Sequence, residues 1–263
     1  MTNPDGGCAA VGNLEVVART ARHDRGGRPP LLFVHGVFHG AWCWEEHFLD
    51  FFAARGWNAY ALTLRGHRTG DEVRTLRRSL IKHYVQDVGS VADALGDVPV
   101  LIGHSMGGFV VQRFIGQRYV RAAVLLASMP PSGGFPALLL RHNAILAATS
   151  IARGSLKRLV GTPARGRAAL FSRGTPDHLV ARYTAMLSEA SLAACADMMM
   201  GRRPRVPPVG RIPVLVMGAA DDGIFSQRQL YATAAQYQTE PIVVAETGHE
   251  FLLCQAAAGW QAF

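Results

Sequence analysis

Short, continuous apolar runs alternate with amphipathic helical stretches along most of this 263-residue chain, and that alternation leaves few architectures open. A strand that is apolar at every position has both faces covered, which is the state of a strand in a parallel sheet packed between helices. Pro29-Pro-Leu-Leu-Phe-Val-His35 is such a run, residues 98–103, 122–127 and 212–218 repeat it, and residues 57–64 and 241–246 also read as strands. Between them, Trp42, Trp44, Phe48, Leu49 and Phe52 predict one helix over 42–54, stopped by Arg55-Gly56, and similar spacing predicts helices over 80–95, 106–117 and 226–238. Residues 14–20 read as an edge strand after a polar start. The order predicts an α/β fold with a mostly parallel central sheet and helices on both faces.

The alternation lapses between 129 and 210, where no segment reads as a strand. Five short amphipathic helices, near 136–150, 154–160, 165–172, 177–187 and 188–200, are broken there by Gly, Pro and Ser. The expected organisation is one α/β core, 1–128 and 211–263, with a helical cap of residues 129–210 inserted between two sheet strands. The Met198-Met199-Met200 run and the leucines at 138–140 read as helix-packing residues rather than pocket walls.

Composition excludes several classes. Hydrophobic residues make up 49% of the chain and charged residues 17%, and no apolar run approaches the ~18 residues of a membrane span, so no stable membrane insertion is expected. The N-terminus lacks a basic segment followed by an apolar one, which predicts a cytoplasmic protein. Four scattered cysteines, Cys8, Cys43, Cys195 and Cys254, lack ligand spacing and predict reduced thiols with no structural metal. The formal charge of +8 comes mostly from arginines spread along the chain, a solvated surface rather than a nucleic-acid site. The denser groups, 65–68 and 201–205, would at most favour an anionic substrate.

Chemistry enters at Gly103-His104-Ser105-Met106-Gly107, directly after one apolar strand and directly before a helix. A tight strand-to-helix turn strains its central residue, and glycines two positions either side remove side chains that would collide there, so the Ser105 hydroxyl stands out over the end of the sheet. A serine needs a base, and histidine titrates closest to neutral pH. His249, in Glu246-Thr-Gly-His-Glu250 just beyond the last apolar strand, is the candidate; His35, His39, His67 and His104 read as hydrogen-bonded turn histidines. A third group should orient the base, and Asp221-Asp222 follows the strand at 212–217. Either carboxylate satisfies that requirement.

The order Ser, Asp, His, each after a strand, resembles the α/β-hydrolase superfamily from the strand at 31 to the loop at 249. The opening motif, Val34-His-Gly-Val-Phe-His-Gly-Ala-Trp-Cys-Trp44, is similar to that of the branch containing plant methylesterases and hydroxynitrile lyases. The resemblance implies that the backbone N–H groups of Val37 and Met106 receive the developing oxyanion, where one such donor is worth about 3 kcal/mol. It favours Asp222, in Asp222-Gly-Ile224, over Asp221. The lyases carry threonine where Gly36 stands and lysine where Glu250 stands, which weighs against lyase chemistry. The family also closes with a full amphipathic helix, whereas this sequence allows only a short one before Phe263.

These readings predict a serine hydrolase that cleaves a carboxylic ester, or less readily a thioester, of a small-to-medium apolar substrate through an acyl-enzyme, with Phe38 lining the substrate pocket. The expected partner is a small-molecule ester or acyl substrate, with no nucleic acid, metal or cofactor, and the oligomeric state stays open. The alternative is a non-hydrolytic cyclase, lyase or acyltransferase acting on a natural-product intermediate with the same three residues; a receptor with a vestigial triad is disfavoured because all three residue types and both elbow glycines are present.

Overall fold

The computed structural model describes residues 7–23, 26–133, 144–201, 203–208, 210–250 and 252–253. Its centre is an eight-stranded sheet in the order β1-β2-β4-β3-β5-β6-β7-β8. The strands are β1 (Cys8–Val11), β2 (Leu14–Arg19), β3 (Leu31–Val34), β4 (Ala59–Thr63), β5 (Val100–His104), β6 (Ala122–Leu126), β7 (Val214–Ala219) and β8 (Ile242–Val244). β1 and β2 are antiparallel to their neighbours, and every pairing from β4 to β8 is parallel. β3 and β4 are buried at every position, which requires cover on both faces and explains why β3 reads as an unbroken apolar run.

Parallel pairing gathers the carboxyl ends of the core strands along one edge. Val34 lies beside Leu62 and Gly103, His104 beside Leu126, Leu126 beside Met217, and Ala219 beside Val244. The loops that leave β3, β5, β7 and β8 therefore emerge together, which is where open α/β sheets bind their ligands.

Helices α1 (Trp42–Glu45) and α2 (Phe48–Ala54) replace the single helix expected over 42–54. His47 leaves helical backbone at φ −142° and ψ −34°. The break follows long-range packing that local spacing cannot reveal: Trp44 packs tilted and Phe48 edge-on against Phe33, at 4.9 and 6.1 Å between ring centroids, while Glu46 accepts from Arg182 (2.7 Å) and the Tyr183 hydroxyl (3.1 Å). The polar start contains β1, which exists by pairing with β2, and a short helix α3 (Val73–Arg78), anchored by buried Leu76, lies between β4 and the next helix, where the sequence reading assigned no element. Helix α4 (Ile81–Ala94) packs on α5 (Met106–Ile115), and α5 lies against β5, β6 and β3.

Between β6 and β7 the elements formed by the described residues are all helical: α6 (Ala144–Ala152), a 3-10 turn (Leu156–Leu159), α7 (Pro163–Ala169), α8 (Asp177–Met186) and α9 (Leu192–Met200). The first half of the helix expected over 136–150, the leucines at 138–140 and the short closing helix lie outside the described residues. This helical segment is tied to the sheet edge by polar contacts. Ser191 Oγ donates to Ser79 O (2.8 Å), Asp197 accepts from the Ile81 N–H at the start of α4 (3.1 Å), and the Ser188 N–H donates to Phe38 O (2.7 Å). Helix α10 (Gln227–Gln236) packs on β7.

No described helix is long and apolar enough to cross a membrane. Cys8, Cys43 and Cys195 are free thiols.

Packing is tight where α5 begins. A Cβ on Gly107 would run into the Val34 and His35 carbonyls at the end of β3. Backbone cannot yield as a flexible side chain can, so Gly107→Ala should cost at least about 1–3 kcal/mol, read as a lower urea midpoint with an unchanged m-value.

Candidate active site

Ser105 occupies the turn between β5 and α5 with φ 53° and ψ −114°, a left-handed backbone that a non-glycine residue rarely adopts. The turn is held on both sides, by Ser105 N–H to Leu126 O (3.0 Å) and by Phe109 and Met129 N–H groups to Ser105 O (3.2 Å each). A Cβ on Gly103 would come within 2.5 Å of Gly107 O, so the turn closes only with glycine at both places.

His249 comes from the loop after β8. Its Nε2 lies 3.0 Å from Ser105 Oγ and its Nδ1 lies 2.9 Å from Asp222 Oδ2. The acceptor-only carboxylate requires the hydrogen on Nδ1, which leaves the Nε2 lone pair facing the serine hydroxyl. Asp222 is positioned in turn by two backbone donors, Ile224 N–H (2.7 Å) and Phe225 N–H (2.9 Å), both to Oδ1. Asp221 is exposed, and its backbone N–H donates to Thr247 O (2.9 Å). The structure thus joins Ser105, His249 and Asp222 in one hydrogen-bonded series and leaves Asp221 outside it.

Burial opposes charge on His249, but the Asp222 charge, the Asp222 hydrogen bond and the nearby Glu250 carboxylate outweigh it, so the imidazole sits above its ordinary value of 6.5. The loop that carries it is fixed by His104, whose Nε2–H donates to His249 O (3.0 Å), and by Glu250 N–H to Leu170 O (2.8 Å). Burial pushes His104 down to about 4 despite the Glu250 charge. His35 bridges β3 and β4, donating from Nδ1 to Gly36 O (2.8 Å) and accepting from Leu64 N–H at Nε2 (3.0 Å), and burial holds it well below 6.5. His39 donates from Nδ1 to Val37 O (2.7 Å), and His67 Nδ1 lies 3.4 Å from Arg65 O.

The Val37 and Met106 N–H groups donate to no described residue. Phe38 holds a positive φ of 72°, its carbonyl tied to Ser188. A cavity of about 300 Å³ opens beside Ser105, walled by Val37 and Phe38 from the sheet edge and by Leu159, Leu170, Met198 and Met199 from the helical segment. Two residues of the methionine run read as packing thus face the cavity, because the turn of α9 points them at it; Met200 is 80% exposed. Phe225, edge-on to His249 at 5.4 Å, is marked by no sequence motif, and Glu250 enters the sequence reading only as the place where the lyases carry lysine. The arginine groups lie elsewhere: Arg65 pairs with Asp87, Arg68 with Asp71, and Arg203 and Arg205 line a separate surface hollow.

His104, His249 and Glu250 are the one set of three or more His, Cys, Asp or Glu side chains, among the described residues, whose potential metal-ligand atoms lie within 4.8 Å of one another. Both imidazoles are already engaged, His104 with the His249 carbonyl and His249 with Asp222 and Ser105, so a cation there would have to break the series.

A model of the alpha/beta hydrolase family matches residues 31–258, and the chain belongs to that family. Esterase PIR7B of Oryza sativa subsp. japonica is 36% identical over 129 residues, covering 46% of this chain and 44% of that protein. The pFDCC methylesterase MES16 of Arabidopsis thaliana is 30% identical over 122 residues, 42% of this chain and 45% of that protein. The chain thus matches less than half the length of these curated relatives. Among solved structures, a bromoperoxidase from Bacillus anthracis has a TM-score of 0.71 at 14% identity, over 98% of this chain and 97% of that one. A thermophilic esterase from Thermogutta terrifontis has a TM-score of 0.69 at 19% identity, over 95% and 91%. Both share the fold.

Asp222→Asn removes the charge that holds the His249 imidazole up, whereas Asp221→Asn alters a solvated carboxylate. In an NMR titration the His249 midpoint should fall in the first variant and stay in the second.

Proposed function

We propose that this protein hydrolyses carboxylic esters, and thioesters less readily, with Ser105 as nucleophile, His249 as general base and Asp222 as its orienting acid. The observation that carries this reading is the Asp222–His249–Ser105 series, at 2.9 and 3.0 Å, opening onto an apolar cavity. The names esterase and methylesterase among the relatives support ester chemistry.

His249 Nε2 takes the proton from Ser105 Oγ as the oxygen bonds to the substrate carbonyl carbon, and Asp222 stabilises the imidazolium. The carbonyl oxygen becomes an oxyanion received by the Val37 and Met106 N–H groups, the latter at the start of α5, where the helix dipole also favours negative charge. Collapse breaks the bond to the alcohol oxygen, which leaves with the proton from His249. Water then repeats the sequence on the acyl-enzyme and frees the acid. No step calls for a metal or cofactor.

Residues 129–210 act as a cap on the core formed by 1–128 and 211–263, and the pocket between them, with Phe38 in its wall, suits a small-to-medium apolar acyl or alcohol group. A small-molecule ester is the partner this pocket fits.

A fluorophosphonate tests the reading without a substrate guess. Intact-mass and peptide mapping should show one adduct on Ser105, and Ser105→Ala or His249→Ala should lower ester turnover by about 10⁴-fold or more while the fold is kept. An unmodified serine, or turnover that survives Ser105→Ala, would point instead to the cyclase, lyase or acyltransferase alternative. Because His249 must be neutral to accept the proton and its value is raised, kcat/KM should climb with pH through a midpoint above 6.5.

A further inference from the structure

Glu250 lines the cavity with its side chain 2% exposed, directly after the base, and the mechanism above leaves it without a part. Its Oε2 lies 3.5 Å from His39 Nε2, and the His39 side chain is 1% exposed. The other nitrogen of His39 donates to the Val37 carbonyl at 2.7 Å. A carbonyl only accepts, so the hydrogen on Nδ1 is committed. A bare Nε2 would turn its lone pair on the lone pairs of a carboxylate; the contact is attractive only with a further proton between the two groups. Burial away from water makes that interaction strong and its loss costly.

The contact also joins two loops that must cooperate. Val37 carries one of the proposed oxyanion donors, and Phe38 beside it is held at a positive φ that needs external support. Glu250 belongs to the loop that carries His249. We propose that His39 and Glu250 form a buried ion pair that positions the oxyanion loop against the base loop and sets the Glu250 carboxylate within 4.8 Å of a His249 ring nitrogen. The inference rests on the serine-hydrolase reading of the same site.

The titratable groups facing Glu250 are His39, His104, His249, Asp222 and the Cys43 thiol. Burial opposes its charge, but the three histidines outweigh burial and the Asp222 carboxylate, and hold its carboxyl below the ordinary value. In return the Glu250 charge lifts His249. Removing that charge should therefore let His249 stay neutral to lower pH.

Second-order rate constants for fluorophosphonate labelling, measured against pH, separate the two effects. In this reaction Ser105 Oγ bonds to phosphorus, fluoride leaves, His249 takes the proton and the phosphoryl oxygen lies where the oxyanion would. Glu250→Gln keeps a donor for a neutral His39 but loses the charge, so its acid limb should move to lower pH. Glu250→Ala loses the contact as well, and its plateau rate should fall about tenfold below that of Glu250→Gln. An acid limb for Glu250→Gln that coincides with the wild type, or equal plateaus in the two variants, would overturn the proposal.

Circular dichroism checks that each variant folds; if Glu250→Ala does not, the acid limb of Glu250→Gln decides. Wild-type protein that resists the probe would count against Ser105 as an activated nucleophile. The imidazole NMR titration of His249, with and without Glu250→Gln, still tests the pair in that case: a lower midpoint in the variant supports it, and an unchanged one sinks it.

Discussion

The close approach of α5 to the end of β3 governs the rest of the molecule. Gly107 sits where a Cβ would strike the Val34 and His35 carbonyls, and Gly103 faces Gly107 across the turn with no more room. That contact brings the helix in steeply enough to hold Ser105 at φ 53°. Strain of this kind persists only where surrounding structure over-determines it, and here the hydrogen bonds to Leu126, Phe109 and Met129 do so. Once the turn is set, the position of the hydroxyl over the sheet edge follows from the parallel register, as does the meeting of the β7 and β8 loops above it.

Buried imidazoles connect these loops. His35 ties β3 to the end of β4, His104 ties the elbow to the carbonyl of His249, and His39 ties the 36–39 loop to Glu250. Burial favours the neutral form of His35 and His104, so their hydrogen-bond directions stay constant across the neutral pH range. His249 behaves differently from His35 and His104, because the Asp222 and Glu250 charges overcome burial. One residue type therefore serves as rigid connector at some positions and as the proposed proton carrier at another, according to the charges around it.

Legibility differed by element for identifiable reasons. β3, β4 and β5 were visible because strands covered on both faces are mostly apolar, whereas β1 was hidden because its existence depends on pairing with β2. The break between α1 and α2 was invisible to a periodicity argument, since it comes from Phe33 and from Arg182 and Tyr183, more than 130 residues beyond Glu46 in the last two cases. Asp222 could be preferred over Asp221 only by likeness to a family. The structure supplies a physical difference, two backbone donors and burial for Asp222 and solvent for its neighbour.

By itself the sequence determined the α/β class, the strand–turn–helix setting of Ser105 and the chain order of the serine, aspartate and histidine, because each of these is written in local spacing and in residues with special backbone needs. Tertiary structure decided which histidine reaches Ser105, which faces of α9 and of the 3-10 turn wall the cavity, and that Glu250 lies against His39. Those outcomes depend on how distant segments meet across the sheet edge. Such meetings are fixed by packing of the whole core rather than by any stretch of neighbouring residues.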